Sequence, residues 1–379
     1  MQTVGIFRNQ LFRRSEPFIA DQAQQFRRFK VMYLGRERSS PAPANSMTLS
    51  LADVPGRGSA VLRLWHVLSR DPSLYLRFLN GRHPDLIHAH FGVDAVYALP
   101  LAMRLSVPLV TTFHGYDASL SIAGLLRSAK PAWWNYALRR RGLARRGALF
   151  LCVSEYIRRR VVALGFPESR TRVHYIGVDV DTIRPCVKRF DRPVVLHVAR
   201  LVEKKGTTDL IAAFAQLLRK VPDAELLIVG EGPLERRLRA QVEALGIGHA
   251  IRFLGALPHR ETLELIGQSW VFALPSVEAR NGDAEGLGMV LLEAAASGVP
   301  SVATRHGGIP EVVVDGETGR LCAERDTEAL TDALVGLLRD DQLRLRLGQA
   351  ARERVQREFD LRCQSAVLEG LYADLLGGA

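Results

Sequence analysis

The chain has 379 residues, of which 47% are hydrophobic and 24% are charged. This length predicts two domains, and the composition excludes an intrinsically disordered protein. No apolar run approaches the roughly 18–20 residues that cross a bilayer, and the opening MQTVGIFRNQ predicts a β-strand, not a secretory signal peptide. The four cysteines form no Cys-x-x-Cys pair, which disfavours a zinc site or a disulfide framework and fits a reducing cytosol.

The net charge of +11 is distributed unevenly along the chain. Residues 1–185 hold 27 Lys and Arg against 12 Asp and Glu, a balance of +15, whereas residues 186–379 hold 24 against 28, a balance of −4. A basic half favours an anionic partner: nucleic acid, an anionic membrane surface or a phosphate-bearing substrate.

Short apolar runs in both halves alternate with segments of helical length. In the first half, buried parallel strands are predicted at 3–7, 86–90, 109–113 and 149–153, with helices at 17–29 and 120–145. In the second half, strands are predicted at 194–199, 225–229, 251–254, 271–274 and 300–303, each followed by a helical segment. The proline-containing stretch 181–192 is the predicted linker, and 361–376 is a final amphipathic helix.

This alternation predicts an α/β protein with two Rossmann-like, doubly wound domains. We expect an N-terminal domain at 1–185, a C-terminal domain at 186–360, and a terminal helix at 361–379 that crosses back to the N-terminal domain. Ligands of such sheets lie beyond the carboxyl ends of the strands, so two domains that face each other would bind them across a cleft. Candidate residues are therefore those that follow strands.

Arg200 and Lys205 follow the first strand of the second half and precede a helix. Arginine provides a fork of donors and lysine a point charge, so the pair suits a diphosphate. A solvated charged loop explains the pair equally well. After the next strand, Gly230 and Gly232 permit close approach by a ligand, although an ordinary turn before Pro233 explains them nearly as well.

The strongest pattern runs from Asp283 to Glu293, where glycines precede an apolar helix. Free N–H groups at the start of that helix favour a phosphate or a sugar oxygen. Glu285 lies at the turn, and Glu293, eight positions later, is expected close to the same helical face. A carboxylate on a buried helix needs hydrogen-bond donors. The hydroxyls of a bound ribose or a structural arginine would supply them, and the ribose is the favoured explanation.

In the first half, His114-Gly-Tyr-Asp117 follows a strand, and His114 is expected to reach a sugar hydroxyl or a developing charge. A capping or core role competes with this. His88 and His90 share one face of a strand, for which packing or substrate lining is favoured above metal binding because no carboxylate accompanies them.

The stretch from Trp133 to Arg146 combines aromatic residues with arginines, and 158–160 add three more arginines. Such a combination suits a helix that contacts a membrane surface. Aromatic residues in the core with arginines in water are an equal alternative.

Taken together, these motifs resemble the family-4 retaining glycosyltransferases of the GT-B fold. The segments His114 to Asp117, Arg200 to Lys205, Gly230 to Pro233 and Glu285 to Glu293 occur in that family's order, as do the motifs at 297–300, 307–311 and 316–319. The segments 15–18 and 281–286 further resemble the branch that builds bacterial exopolysaccharides such as colanic acid or amylovoran.

The resemblance implies a role for each matching residue. Arg200 and Lys205 would hold the diphosphate of a UDP- or GDP-linked sugar, and Glu293 the ribose. The remaining donor-side positions would be Gly230, Glu285, Gly286, Leu287 and Gly288, with His114 and Glu285 acting at the transferred sugar. The reaction would retain the anomeric configuration without a metal or cofactor, the leaving phosphate accepting the proton of the acceptor.

The first loop departs from the family pattern, since 7–16 lack a glycine pair and offer Arg13, Arg14 and Ser15 instead. The acceptor or membrane side is expected to include Ser15, His90, Asp117, Arg139 and Arg140. The resemblance to this branch implies a glycan acceptor in lipid-linked form, at the cytosolic face of the membrane. A GT-B-like sugar-nucleotide epimerase and a basic nucleic-acid-binding protein are the alternatives, although no nucleic-acid-binding motif occurs.

Overall fold

The computed structural model describes residues 1–13, 15–44, 46–53, 58–128, 130–186 and 190–377. It divides into two compact units, one formed by Met1–Gly177 and Leu361–Ala379 and the other by Val178–Asp360. Each contains one parallel sheet with helices, as the α/β prediction requires. Among the described residues, no helix has the length and apolar character needed to cross a bilayer.

The sheet of the first unit has seven strands in the order β3-β2-β1-β4-β5-β6-β7. These strands are β1 (Gln2–Leu11), β2 (Phe29–Arg38), β3 (Met47–Ser50), β4 (Leu86–His90), β5 (Leu109–Phe113), β6 (Leu149–Cys152) and β7 (Thr171–Val173). The helices are α1 (Pro17–Gln24), α2 (Gly58–Ser69), α3 (Ser73–Leu79), α4 (Gly92–Leu105), α5 (Tyr116–Ser119), α6 (Ile122–Arg127), α7 (Pro131–Arg146) and α8 (Glu155–Ala163).

The single long helix predicted at 120–145 is wrong, because the segment forms α6 and α7. Pro131 starts α7, where its missing N–H is tolerated, and the preceding Lys130 is extended. The predicted helix at 17–29 ends as α1 at Gln24, and Phe29 already begins β2.

The sheet of the second unit has six strands in the order β10-β9-β8-β11-β12-β13. These are β8 (Val194–Val198), β9 (Glu225–Val229), β10 (Ile251–Gly255), β11 (Val271–Leu274), β12 (Ser301–Thr304) and β13 (Gly319–Cys322). The helices are α9 (Thr207–Leu217), α10 (Glu235–Ala244), α11 (His259–Gln268), α12 (Met289–Ala296), α13 (Ile309–Val312), α14 (Thr327–Arg339) and α15 (Asp341–Glu358).

The segment after Gly177 belongs to the second unit, although the predicted boundary followed residue 185. Val178 donates its N–H to the carbonyl of Phe359 at 2.9 Å. Arg352 donates to the carbonyls of Ile183 at 2.9 Å and Val180 at 3.3 Å. These bonds join the segment to the end of α15, which lies in the same unit.

The last helix, α16 (Leu361–Leu375), belongs to the first unit. Its Leu368 and Tyr372 are buried in the core of that unit. The Tyr372 hydroxyl is 2.5 Å from Nδ1 of His88 on β4. Glu369 is buried, and its Oε1 accepts the backbone N–H groups of residues 27–29 at 2.9, 2.7 and 3.2 Å.

We predict that Glu369→Ala loosens the start of β2, because three N–H groups lose a charged acceptor. A hydrogen bond to a charged group contributes about 1.5–3 kcal/mol. Hydrogen exchange at residues 27–29 should therefore quicken at least tenfold. Glu369→Gln, which keeps a carbonyl acceptor, should change exchange much less, and equal protection in the alanine variant would contradict this role.

Candidate active site

The strand order of the second unit reverses between β8 and β11, which lie side by side. At such a reversal the connections leave in opposite directions, and ligands of parallel sheets bind beside the carboxyl ends of the strands. The loops in question are 199–206 after β8 and 275–288 after β11. Together they contain most of the predicted donor-side residues.

Gly206 brings these two loops into contact. A Cβ at this position would lie 1.8 Å from the carbonyl oxygen of Pro275, and φ is +65°. Only glycine accepts that approach without a shift of the backbone. Nearby, the N–H of Val277 donates to the carbonyl of Lys204 at 2.8 Å, so the loops are joined on both sides of the glycine.

Two lysine–carboxylate pairs cross between the loops. Lys205 Nζ lies 2.5 Å from Glu285 Oε2, with side chains only 14% and 12% exposed. Lys204 Nζ lies 3.0 Å from Asp283 Oδ1 and also donates to the carbonyl of Ala284 at 3.2 Å. The predicted diphosphate ligand Lys205 and the predicted sugar ligand Glu285 are therefore direct partners.

Burial and charge act in opposite senses on this pair. Burial alone would raise the pKa of Glu285, but the charges of Lys205 and Lys204 outweigh it and lower that pKa to about 2. Burial lowers the pKa of Lys205, and Glu285 opposes this, while the nearby charges of Lys204 and Arg200 add to the lowering. Arg200 is exposed and lies in the same loop as Lys205.

The backbone of Glu285 is held by the segment after β12. Its N–H donates to Nε2 of His306 at 3.2 Å, and its carbonyl accepts the N–H of Gly308 at 3.2 Å. His306 Nδ1 lies 2.6 Å from Glu324 Oε1. Because Nε2 accepts, the imidazole carries its proton on Nδ1 and donates it to Glu324.

His306 and Glu324 escaped the sequence analysis. The available signal was a histidine directly before the glycine pair 307–308, although the carboxylate 18 positions later belongs to another strand connection.

Glu293 lies on α12, but its predicted helical relation to Glu285 is wrong. The helix begins at Met289, after Gly288 at φ +90°, so Glu285 precedes it in an irregular loop. Glu293 Oε1 lies 4.0 Å from Nε2 of His259, and its side chain is 17% exposed. His259 is thus one cationic side chain near this carboxylate when its imidazole is protonated.

The first turn of α12 supplies the N–H groups expected from its glycines. Those of Met289 and Val290 have no carbonyl four residues back within the helix. Gly286, Leu287 and Gly288 form the loop that leads into this turn.

Gly230 has a structural requirement of its own. Its φ is +124°, and a Cβ would lie 2.0 Å from the carbonyl oxygen of Ala199. Gly232 similarly faces the carbonyl of Leu201 at 2.4 Å. Both glycines therefore let the loop after β9 pack on the loop that carries Arg200, which favours the turn explanation.

Three histidines form a chain in the first unit. His88 Nε2 lies 2.7 Å from the Thr112 hydroxyl, and its ring stacks on His90 at 4.4 Å. His90 Nδ1 lies 3.1 Å from Nε2 of His114. Burial lowers the pKa of His90 and of His114 well below the usual value, so both are neutral near pH 7.

Both ring nitrogens of His88 form hydrogen bonds within the protein, to the hydroxyls of Tyr372 and Thr112. This fits the structural role that the sequence favoured for His88. Nδ1 of His114 has no hydrogen-bond partner among the described residues.

Asp117 is a positioning residue, although it was predicted on the acceptor side. It is buried, and its carboxylate accepts the N–H groups of Gly92 at 2.8 Å, Gly115 at 3.0 Å and His114 at 3.2 Å. Burial raises its pKa to about 6, and the backbone N–H groups oppose that rise. Asp117 therefore fixes the turn that carries His114 to the start of α4.

The first loop is organised around Arg8, which the sequence analysis missed. Arg8 lies 2.7 Å from Glu16, contacts Asp94, and has its guanidinium 4.2 Å from the ring centre of Phe91. The predicted acceptor residue Ser15 is exposed beside this cluster. Arg14 lies outside the described residues.

The predicted membrane-contact stretch is only partly exposed. Trp133 stacks on Tyr116 with ring centres 5.5 Å apart, and Tyr136 is fully buried. Arg139 is exposed, whereas Nη1 of Arg140 is buried with no partner among the described residues.

The arginines at 158–160, which were predicted to add to that patch, have partners within the first unit. Arg158 pairs with Glu155 and Glu168, and Arg159 pairs with Glu155. Arg160 donates to the carbonyl of Ser119 at 2.8 Å.

Comparison with known proteins identifies the family. The models Glycosyltransferase Family 4 and Glycosyl transferases group 1 match residues 18–182 and 181–354. The GDP-mannose-dependent alpha-(1-6)-phosphatidylinositol monomannoside mannosyltransferase of Mycolicibacterium smegmatis is 36% identical over 80% of this chain and 79% of its own. The chain belongs to the group 1, family 4 glycosyltransferases. Its use of a nucleotide sugar follows from this membership, which favours it over the epimerase and nucleic-acid-binding alternatives.

Other relatives of this glycosyltransferase extend to polysaccharide synthesis. WcaL of Salmonella typhimurium, assigned to colanic acid biosynthesis, is 35% identical over 73% of this chain and 67% of its own. The structure of Anabaena HepE in complex with UDP and glucose covers 99% of this chain and all of its own, with a TM-score of 0.77 and 19% identity. The structural likeness confirms the predicted GT-B fold, while the exopolysaccharide branch stays a prediction.

We predict that Glu285→Gln destabilises the second unit of this glycosyltransferase, because Lys205 keeps a buried charge without its partner. Loss of one member of such a pair costs about 3–5 kcal/mol. Because its pKa is depressed, ionised Glu285 stabilises the folded state above pH 4.5, and this contribution is lost as the pH falls towards 2. The difference in the free energy of unfolding between the wild type and Glu285→Gln should therefore become smaller between pH 4.5 and pH 2.

Denaturant unfolding at a series of pH values measures this difference. Hydrogen exchange of peptides from the second unit then shows whether the destabilisation lies in that unit. Glu264→Gln is the control, since that carboxylate is 59% exposed on α11. Equal stability of Glu285→Gln and the wild type at pH 7 would contradict the importance of the pair.

Proposed function

We propose that this glycosyltransferase moves a hexose, with retention of configuration and without a metal, from a UDP- or GDP-linked donor to a lipid-linked glycan in exopolysaccharide or capsule synthesis. The observation that carries the donor assignment is the Lys205–Glu285 pair at the strand reversal, with Arg200 close by. The acceptor assignment is supported by the two relatives, one named for a phosphatidylinositol mannoside and the other for colanic acid.

In this proposal, cationic side chains and backbone donors bind the diphosphate. Arg200 and Lys205 contribute charge, and the first turn of α12 contributes N–H groups and the positive end of its dipole. The charge that grows on the leaving phosphate is stabilised by the same groups, which lowers the barrier to cleavage of the sugar–phosphate bond.

Glu285 binds hydroxyls of the transferred sugar, and Glu293 binds the ribose. Because the pKa of Glu285 is about 2, its carboxylate is ionised near neutral pH and accepts hydrogen bonds from hydroxyls. As the bond to the donor phosphate breaks, the acceptor oxygen bonds to the anomeric carbon on the same face. The acceptor proton passes to the departing phosphate oxygen.

His114 is the residue of the first unit that we propose to contact the sugar. Its neutral imidazole is oriented by Asp117 through the backbone and by His90 through Nε2. The buried Nδ1, which has no partner among the described residues, can form one hydrogen bond with a hydroxyl.

A lipid-linked acceptor would bring the enzyme to the cytosolic face of the membrane. The balance of +15 in residues 1–185 supports a peripheral location at that surface, since basic residues near anionic lipid contribute about 1 kcal/mol each.

We predict that Lys205→Ala weakens binding of UDP or GDP by roughly 1.5–3 kcal/mol, about 10- to 150-fold, and binding of the nucleoside monophosphate much less. The lost contact is to the diphosphate. Titration calorimetry measures the affinities, and Lys220→Ala is the matched control because Lys220 is a half-exposed surface lysine. Equal losses of affinity for the diphosphate and the monophosphate would show that Lys205 does not bind the diphosphate group.

Glu293→Ala should weaken a ribonucleotide by a similar amount but leave the affinity for its 2′,3′-dideoxy analogue unchanged, because the analogue lacks the hydroxyls that Glu293 binds. Displacement titration with both nucleotides compares them, with Glu264→Ala as the control on a neighbouring helix. A variant that weakens both nucleotides alike would show that Glu293 does not bind the ribose.

We predict that transfer continues in a chelator, because the diphosphate charge is met by Arg200, Lys205 and N–H groups. A panel of nucleotide sugars screened by thermal shift first identifies the donor, since a true donor raises the melting temperature. Product formation is then measured with and without chelator. Abolition of transfer that magnesium or manganese restores would refute the metal-independent mechanism.

A further inference from the structure

Helix α2 presents a row of large apolar side chains to water. Val61, Leu64, Trp65 and Leu68 are 68%, 60%, 53% and 61% exposed. Their spacing of three, one and three places them on one face over two turns. Contiguous apolar surface of this kind marks a site of interaction more often than scattered single residues do.

The opposite face of α2 is anchored in the first unit. His66 is fully buried, with its ring centre 5.3 Å from those of Tyr75 and Tyr97. The carbonyl of Val67 accepts from Asn135 Nδ2 at 3.0 Å and from the Tyr97 hydroxyl at 2.9 Å. The apolar row is thus held outward by the packing behind it.

A cationic groove begins where α2 ends. Its cavity, about 610 Å³, is lined by residues of α4, of α7 and of the turn between α2 and α3. Leu99, Pro100 and Met103 contribute apolar surface to this lining, and five arginines contribute charge: Arg70, Arg104, Arg139, Arg145 and Arg146. Arg70 follows the last residue of α2 directly, so the groove begins at the end of the helix that carries the apolar row.

The charge of the groove is uncompensated. Across the described residues, none of its five arginines has an acidic side chain within 4.0 Å. Burial and the charge of Arg139 both lower the pKa of Arg70, because a neighbouring cation disfavours its charged form. A phosphate in the groove would relieve this repulsion.

We propose that the α2 row and the arginine groove form one docking surface for an anionic phospholipid bilayer. The four apolar side chains enter the acyl region, and the groove binds the phosphate of a lipid headgroup. A nucleic acid would satisfy the arginines but leave the apolar row in water, whereas a bilayer satisfies both. This inference rests on the peripheral membrane location in the proposed function and assigns the surface that makes the contact. Its residues belong to the first unit and the donor-binding residues Arg200, Lys205, Glu285 and Glu293 to the second, so the two can be tested separately.

The test is sedimentation with vesicles of phosphatidylglycerol and phosphatidylcholine, compared with phosphatidylcholine alone. The wild type should bind the mixed vesicles, and Leu64→Gln/Leu68→Gln should reduce the partition coefficient at least tenfold. Leu345→Gln is the matched control, since Leu345 is 57% exposed on α15 of the other unit. Arg139→Gln/Arg145→Gln should also reduce binding at least tenfold and flatten its dependence on salt.

Insertion is measured independently by brominated acyl chains, which should quench tryptophan fluorescence in the wild type and much less in Trp65→Phe. The proposal is overturned if the apolar variant binds vesicles as tightly as the wild type, or if Trp65 is not quenched. Displacement by millimolar inorganic phosphate with no effect of the apolar variant would assign the groove to a soluble phosphate, and apolar-independent binding of RNA would assign it to nucleic acid.

UDP or GDP affinity, measured on the same proteins, should be equal in all variants. Retained nucleotide affinity without vesicle binding would reject the docking surface alone. Vesicle binding by a protein that binds no nucleotide sugar would instead reject the proposed function.

Discussion

The buried ion pair between Lys205 and Glu285 is the contact on which the second unit's site depends. It joins two loops that leave the sheet where the strand order reverses, and Gly206 makes it possible by letting one loop approach the other's backbone. A pair of this kind is sensitive to the loss of either partner. The residues around it, including His306 behind the Glu285 backbone, therefore maintain a geometry as well as a charge.

The first unit uses buried polar groups differently. The carboxylate of Asp117 accepts hydrogen bonds from three backbone N–H groups. The histidines at 88, 90 and 114 form a stacked chain in which burial keeps the imidazoles neutral. The charged Arg8 of this unit is buried together with its partners Glu16 and Asp94. The arginines that line the groove beside α4 and α7 have, among the described residues, no acidic side chain within ion-pair distance.

The sequence predicted those features that depend on local pattern. The strands at 86–90 and 109–113 are short, fully buried segments without charged Lys, Arg, Asp or Glu, and they were located correctly. By contrast, β2 ends in charged residues and β13 exposes Arg320, so neither gave a clear signal. The strand-end rule also selected Lys205 and Glu285. Their pairing was not predictable, because they are 80 residues apart and meet only through the sheet order. The same holds for Arg8 with Asp94.

Because α16 completes the first unit, the order of synthesis differs from the order of the units along the chain. The second unit is contiguous from Val178 to Asp360, so a ribosome supplies all of it before α16 emerges. All seven strands of the first unit are synthesised long before α16. The hydroxyl that bonds Nδ1 of His88 and the carboxylate that accepts the N–H groups of residues 27–29 come only with Tyr372 and Glu369. The unit that is synthesised first is therefore completed last. Premature termination before α16 would leave part of its core exposed to water, and a truncated chain of this kind would be sensitive to proteases.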